Sequence, residues 1–68
     1  MKIIVNGQQR ELGEPPTVAN LLLSLDLQSE QVAVEVNLHI LNRPDFPTWN
    51  LHDGDKIEII SFIGGGSP

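Results

Sequence analysis

The dipeptide Asn6-Gly7 sits between Ile3-Ile4-Val5 and Gln8-Gln9-Arg10-Glu11-Leu12. Both of its positions tolerate positive φ, the backbone state that a two-residue turn between twisted strands demands. The chain up to Leu12 therefore reads as a β-hairpin. Successive side chains of a strand point to opposite faces. Ile3 and Val5 then share one face, and Leu12 closes it from the second strand. Gly13-Glu14-Pro15-Pro16 stops that strand, because proline offers no N–H to a ladder and fixes its own φ.

Thr17 is placed to cap a helix, its hydroxyl accepting an orphan N–H of the first turn. Val18, Leu21, Leu22 and Leu25 recur at helical spacing and define one face of a short helix from about Val18 to Leu25. Leu23 lies off that stripe and is partly exposed. Asp26 to Gln31 carries the exit. Val32-Ala33-Val34-Glu35-Val36 is a β-branched, alternating strand with its valines toward a core and Glu35 toward water. Asn37-Leu38-His39 turns into a short strand, Ile40-Leu41. Pro44 and Pro47 make Arg43 to Asn50 irregular or a single 3₁₀ turn, anchored by Phe46, Trp49 and Leu51. Asp53-Gly54-Asp55 then turns the chain into its last and most hydrophobic strand, Lys56 to Ile63.

Hairpin, helix, two strands, loop and final strand form the element order of an α+β, β-grasp (ubiquitin-like) domain over residues 1–63. A mixed sheet packs on one short helix, with the first and last strands parallel at its centre. Residues 64–68, Gly64-Gly65-Gly66-Ser67-Pro68, are expected to be a flexible tail. Glycine loses the most backbone entropy on being ordered, so three in a row do not stabilise a fold. The tail would leave from the middle of the sheet.

Charge and composition exclude several functions. Nine acids against four bases give a net charge of −5. Nucleic-acid binding needs a basic surface that displaces counterions, and Lys2, Arg10, Arg43 and Lys56 are scattered. There is no cysteine, hence no disulfide, thiolate metal site or cysteine nucleophile. No apolar run approaches the length of a membrane span. The N-terminus reads as a strand rather than a signal peptide, so the expected compartment is the cytoplasm.

Catalytic constellations are also lacking. Ser24, Ser29, Ser61 and Ser67 have no motif around them. His39 and His52 have neither metal-ligand spacing nor a serine partner. Asp53-Gly54-Asp55 with Glu58 lacks the third spaced acid of a calcium loop and reads as a turn. Gly64-Gly65-Gly66 precedes no lysine and no helix, so it is not a phosphate loop. One surface feature stands out. If Ile57, Ile59 and Ser61 face the helix, Ile60 and Phe62 face the other side of the sheet, and Ile4 is expected beside them. With Ile63 and Gly64 at the base of the tail, these residues form a candidate docking patch.

The whole chain resembles the ThiS-type sulfur carriers of thiamin biosynthesis, a ubiquitin-like family. The matching pieces are Val5-Asn6-Gly7, the Thr17-Val18 helix start, and Val32-Ala33-Val34-Glu35 with Asn37. Ile40, Arg43, Asp53-Gly54-Asp55 and the apolar strand running into Gly65-Gly66 complete them. The family usually places a tryptophan three residues after the arginine. Here Phe46 holds that place, and Trp49 follows three residues later.

The resemblance implies a carrier and not an enzyme. Its C-terminal carboxylate would be adenylated by a ThiF-type adenylyltransferase of the ubiquitin-activating kind, using ATP and magnesium, with no cofactor held by this chain. Sulfur from a cysteine desulfurase route would replace AMP, and a ThiG-type thiazole synthase would receive it. By position, Gly65 and Gly66 match the family's terminal pair, with the thiocarboxylate on Gly66. Ser67 and Pro68 depart from that pattern, since they tie the Gly66 carboxyl into an amide. Either a processing protease removes them or Gly66 carries no sulfur. Two alternatives share the fold: a small subunit of molybdopterin synthase with the same chemistry, and a ubiquitin-like modifier or binding module without sulfur transfer.

Overall fold

The computed structural model describes residues 1–62. Strands β1 (Lys2–Val5) and β2 (Gln8–Glu11) form the N-terminal hairpin, followed by helix α1 (Val18–Ser24). Then come β3 (Val32–Val36), β4 (His39–Ile40) and β5 (Lys56–Ser61). The sheet order is β2-β1-β5-β3-β4, with β1 and β5 parallel and the other pairs antiparallel. This is the β-grasp arrangement, with the last strand at the centre.

Both hairpin turns have the same backbone. Asn6 and Gly7 take φ of 49° and 83°, and Asn37 and Leu38 take 51° and 71°. Such double-positive turns match the right-handed twist of the strands they join. The second turn occupies Asn37-Leu38 alone, so the short strand begins at His39 and ends at Ile40, one residue earlier than the sequence suggested. Leu38 is a leucine in the left-handed region with its side chain 89% exposed.

The two asparagines also hold the central strand with their side chains. The Ile59 N–H donates to Asn6 Oδ1 at 2.8 Å, and Asn6 Nδ2 donates to the Ile59 carbonyl at 3.2 Å. The amide thus acts as one more peptide group, extending the β1–β5 ladder past the point where β1 turns away. On the other side, the Lys56 N–H donates to Asn37 Oδ1 at 3.0 Å, and Asn37 Nδ2 donates to Asp55 Oδ1 at 2.9 Å. The Asp53-Gly54-Asp55 turn is stitched to β1 as well. Asp53 Oδ1 accepts from the Lys2 N–H at 2.7 Å, and the Gly54 N–H donates to the Lys2 carbonyl at 2.7 Å.

Helix α1 starts as expected, with Thr17 Oγ1 accepting the Asn20 N–H at 3.1 Å. It stops by a route that the sequence hides. Asp26 adopts φ 59°, its N–H donates to the Leu23 carbonyl, and the Leu27 N–H donates to the Leu22 carbonyl. That pairing is a Schellman cap, usually built on glycine. Val18, Leu21 and Leu22 are buried against Ile3, Val5, Leu12, Val32, Val34, Val36, Phe46, Leu51 and Ile57. Phe46 is a core residue, whereas Trp49 is only half-buried at its margin. Leu23 is exposed, as its place off the stripe implied.

Two short 3₁₀ turns complete the chain. Arg43–Asp45 matches the single turn expected within Arg43 to Asn50, while Ser29–Gln31 was not anticipated. Arg43 ties them together, its Nε donating to the Ser29 carbonyl at 2.9 Å.

Two stability measurements check this reading. In urea unfolding, Asn6→Gly keeps the turn but loses both bonds to Ile59, costing about 2 kcal/mol, and Asn6→Ala costs more because φ is positive there. Leu38→Gly relieves a left-handed leucine that packs against nothing. It raises stability by about 0.5–1 kcal/mol once glycine's extra unfolded-state entropy is deducted.

Candidate functional site

Strand β5 is the element that feeds the C-terminal segment. It pairs with β3 along Val32↔Ser61, Ala33↔Ile60, Val34↔Ile59, Glu35↔Glu58 and Val36↔Ile57. Immediately after it, the Phe62 N–H donates to the Gln31 carbonyl at 2.8 Å. Gln31 ends the 3₁₀ turn that Arg43 holds. The last described residue is therefore fixed by hydrogen bonds to the body of the domain. Ile63, Gly64, Gly65 and Gly66, which the sequence singled out, lie outside the described residues, as do Ser67 and Pro68.

Alternation along β5 divides its side chains as expected. Ile57 is buried and Ile59 packs against the core, while Ile60 and Phe62 stand on the open face, 62% and 61% exposed. Ile4 is different. It shares the open face but is in register with Lys56, not with Ile60. Four residues of strand separate those positions, about 13 Å. The expectation that Ile4 sits beside Ile60 and Phe62 is therefore corrected. A parallel ladder sets its own offset, and the sequence does not reveal it.

Ile40 contributes in the place of Ile4. It is paired with Glu35 on the adjoining edge strand and is 74% exposed. Ala33, Val34, Ile40 and Ile60 line a shallow depression of about 80 Å³, flanked by Glu35 and Glu58. Sequence reasoning missed Ile40 because its face depends on where the Asn37-Leu38 turn falls. The exposed β-branched residue next to a turn was the available signal.

His39 and His52 line one open groove with Trp49, Asn50 and Asp55. His52 Nδ1 lies 3.9 Å from Asp55 Oδ2, which accepts the His52 backbone N–H at 2.8 Å. No serine lines that groove. Among the described residues, no group of three or more His, Cys, Asp or Glu side chains could hold a metal ion, and no helix is long and apolar enough to cross a membrane. Asp53 and Asp55 spend their carboxylates on the Lys2, His52 and Asn37 N–H groups. That is the work of a turn rather than of a cation site.

These features define a ubiquitin-like β-grasp domain. The comparisons with known proteins agree. The ThiS family model matches residues 3–66. The crystal structure of the thiamine biosynthesis protein (ThiS) of Geobacter metallireducens superposes with a TM-score of 0.78 at 36% identity, covering 97% of this chain and 100% of that one. The sulfur carrier protein ThiS of Escherichia coli is 32% identical over 66 residues, 97% of this chain and 100% of that protein. A thiazole synthase of Paramagnetospirillum magneticum is 45% identical over 67 residues, 98% of this chain. The chain spans only 21% of that synthase's length. The chain belongs to the ThiS family, the sulfur carriers of thiamine biosynthesis, which are carriers and not catalysts.

The open-face placement of Phe62 is checked by substitution. Phe62→Asp keeps the backbone bond to Gln31 and is expected to change folding stability by no more than about 0.5 kcal/mol, the range of surface substitutions. A loss several times larger in denaturant unfolding would place the ring in the core.

Proposed function

We propose that this chain carries sulfur as a thiocarboxylate on Gly66, made by a partner's adenylation of that carboxyl. The observation that carries the reading is the position of β5. It is the central strand, hydrogen-bonded on both sides, and the family match runs from it through residue 66. A carboxylate is a poor electrophile. Attack of its oxygen on the α-phosphorus of ATP expels pyrophosphate and forms an acyl-adenylate. A hydrosulfide equivalent then adds at the carbonyl carbon, and AMP leaves with the C–O electron pair. ATP and magnesium belong to the partner, a ThiF-type adenylyltransferase. A cysteine desulfurase route supplies the sulfur as a persulfide, which a thiol reduces to the hydrosulfide level as the two thiol sulfurs join in a disulfide.

The Gly64-Gly65-Gly66 sequence suits entry into a narrow active site, since glycine brings no side chain and accepts most backbone angles. Ordering such a segment costs entropy that contact elsewhere must offset. Ile60, Phe62 and Ile40 on the open face supply that contact, so Phe62→Asp weakens binding to the adenylating enzyme without unfolding the domain. The thiazole synthase that contains a stretch similar to this chain supports a ThiG-type acceptor. Fusion of a donor to its acceptor raises their effective concentration. Ser67 and Pro68 follow Gly66 in this sequence. The Gly66-Ser67 bond must therefore be cut before Gly66 can react, a task for a processing protease.

The test is intact-mass spectrometry of a chain ending at Gly66, incubated with the adenylating enzyme, Mg-ATP and sulfide. Replacement of oxygen by sulfur adds about 16 Da. A chain that stays unmodified while an authentic carrier is charged in parallel rules the reading out.

A further inference from the structure

The open face of the sheet carries an electrostatic conflict beside its apolar depression. Glu35 on β3 and Glu58 on β5 are register partners in the antiparallel ladder. Directly opposed residues of such a ladder hold their Cβ atoms about 4.5–5.5 Å apart. Both side chains point away from the helix, because their neighbours Val34, Val36 and Ile57 are buried in the core. Neither carboxylate is ion-paired among the described residues.

The chain's own cations leave the pair unbridged. Lys56 shares the open face, two residues before Glu58 on β5 and in register with Ile4, while Lys2 is paired with Glu11 at the far end of β1. Arg10 lines a groove on the helix side with Leu25 and Leu27, and Arg43 is engaged with the Ser29 carbonyl. Like charges opposed across a ladder weaken it. Among the described residues no ion pair offsets that cost at Glu35 and Glu58.

The same two carboxylates flank the depression lined by Ala33, Val34, Ile40 and Ile60. We propose that one arginine of the adenylating enzyme lies across Glu35 and Glu58 while an adjacent apolar side chain of that enzyme fills the depression. The inference rests on the open face being the surface that docks this partner. Two carboxylates on neighbouring strands present acceptors to a planar fork, which a guanidinium matches and a lysine's point charge does not. The net charge of −5 favours a partner surface of opposite sign.

The pair has a signature that a structural role does not share: removing either charge stabilises the free domain and weakens the complex. The full chain, Glu35→Gln, Glu58→Gln and the double variant are titrated against the adenylating enzyme, and each is melted alone. Each single variant is expected to raise Kd about tenfold, as loss of a charge-assisted bond does. Each also raises Tm by about 1–3 °C as the repulsion is relieved. Because one guanidinium serves both acids, the double variant raises Kd by less than the product of the singles.

Singles that bind within twofold of the unaltered chain overturn the arginine bridge and leave the docking surface standing. A double variant that equals the product overturns the single shared cation. A fall in Tm in either single variant shows that the pair serves the fold and overturns the proposal. If neither the unaltered chain nor one ending at Gly66 binds the enzyme, the carrier reading falls and the bridge with it.

Discussion

The pairing of the first strand with the last is the constraint on which the structure depends. β1 and β5 run parallel, so no hairpin can join them and the whole intervening chain must cross over the sheet. Only two register pairs link the strands directly, Ile4↔Lys56 and Val5↔Ile57. The ladder is lengthened at one end by the Asn6 amide on Ile59 and at the other by the Lys2 contacts to Asp53 and Gly54. Asn37 does the same for the opposite edge of β5 at Lys56 and Asp55. The residues Asn6, Asn37 and Asp53-Gly54-Asp55, which had looked like a family pattern, are the fasteners of the central strand.

Function follows from that fastening. A strand held by β1 and Asn6 as far as Ile59 and by β3 as far as Ser61, with Phe62 bonded to Gln31, gives the chain that follows a fixed point of departure. The helix covers one face of the sheet and buries its apolar side chains there, which leaves the other face for Ile40, Ile60 and Phe62. A carrier needs both properties: a reactive end that another protein can reach, and a surface that brings that protein to it.

Much of this was legible in the sequence because the signals were local. Asn6-Gly7 states its turn by φ tolerance, Thr17 states its cap, and the Val32-Val34-Val36 alternation states its buried face. What escaped was set by non-local geometry or by an unusual residue. Asp26 does the work of a C-terminal glycine, so the Schellman stop carried no familiar mark. The Ser29–Gln31 turn is held by Arg43 from a later segment. Ile4 was assigned to the wrong neighbours because the offset of a parallel ladder is decided by its crossover and not by either strand. Ile40 was overlooked for a related reason, since one residue of turn placement decides which face an edge residue shares. The proposed reactive end, Gly66, was read from the glycines and the family resemblance, and it lies outside the described residues.

On the proposed reading, Gly66 becomes a free terminus and bears sulfur. The most direct measurement is the intact mass of the endogenous protein, taken from cells making thiamine, since one number reports both events. A population ending at Gly66, part of it heavier by one sulfur-for-oxygen exchange, is the expected result. A population in which every molecule continues past Gly66 and none carries the extra mass would contradict it.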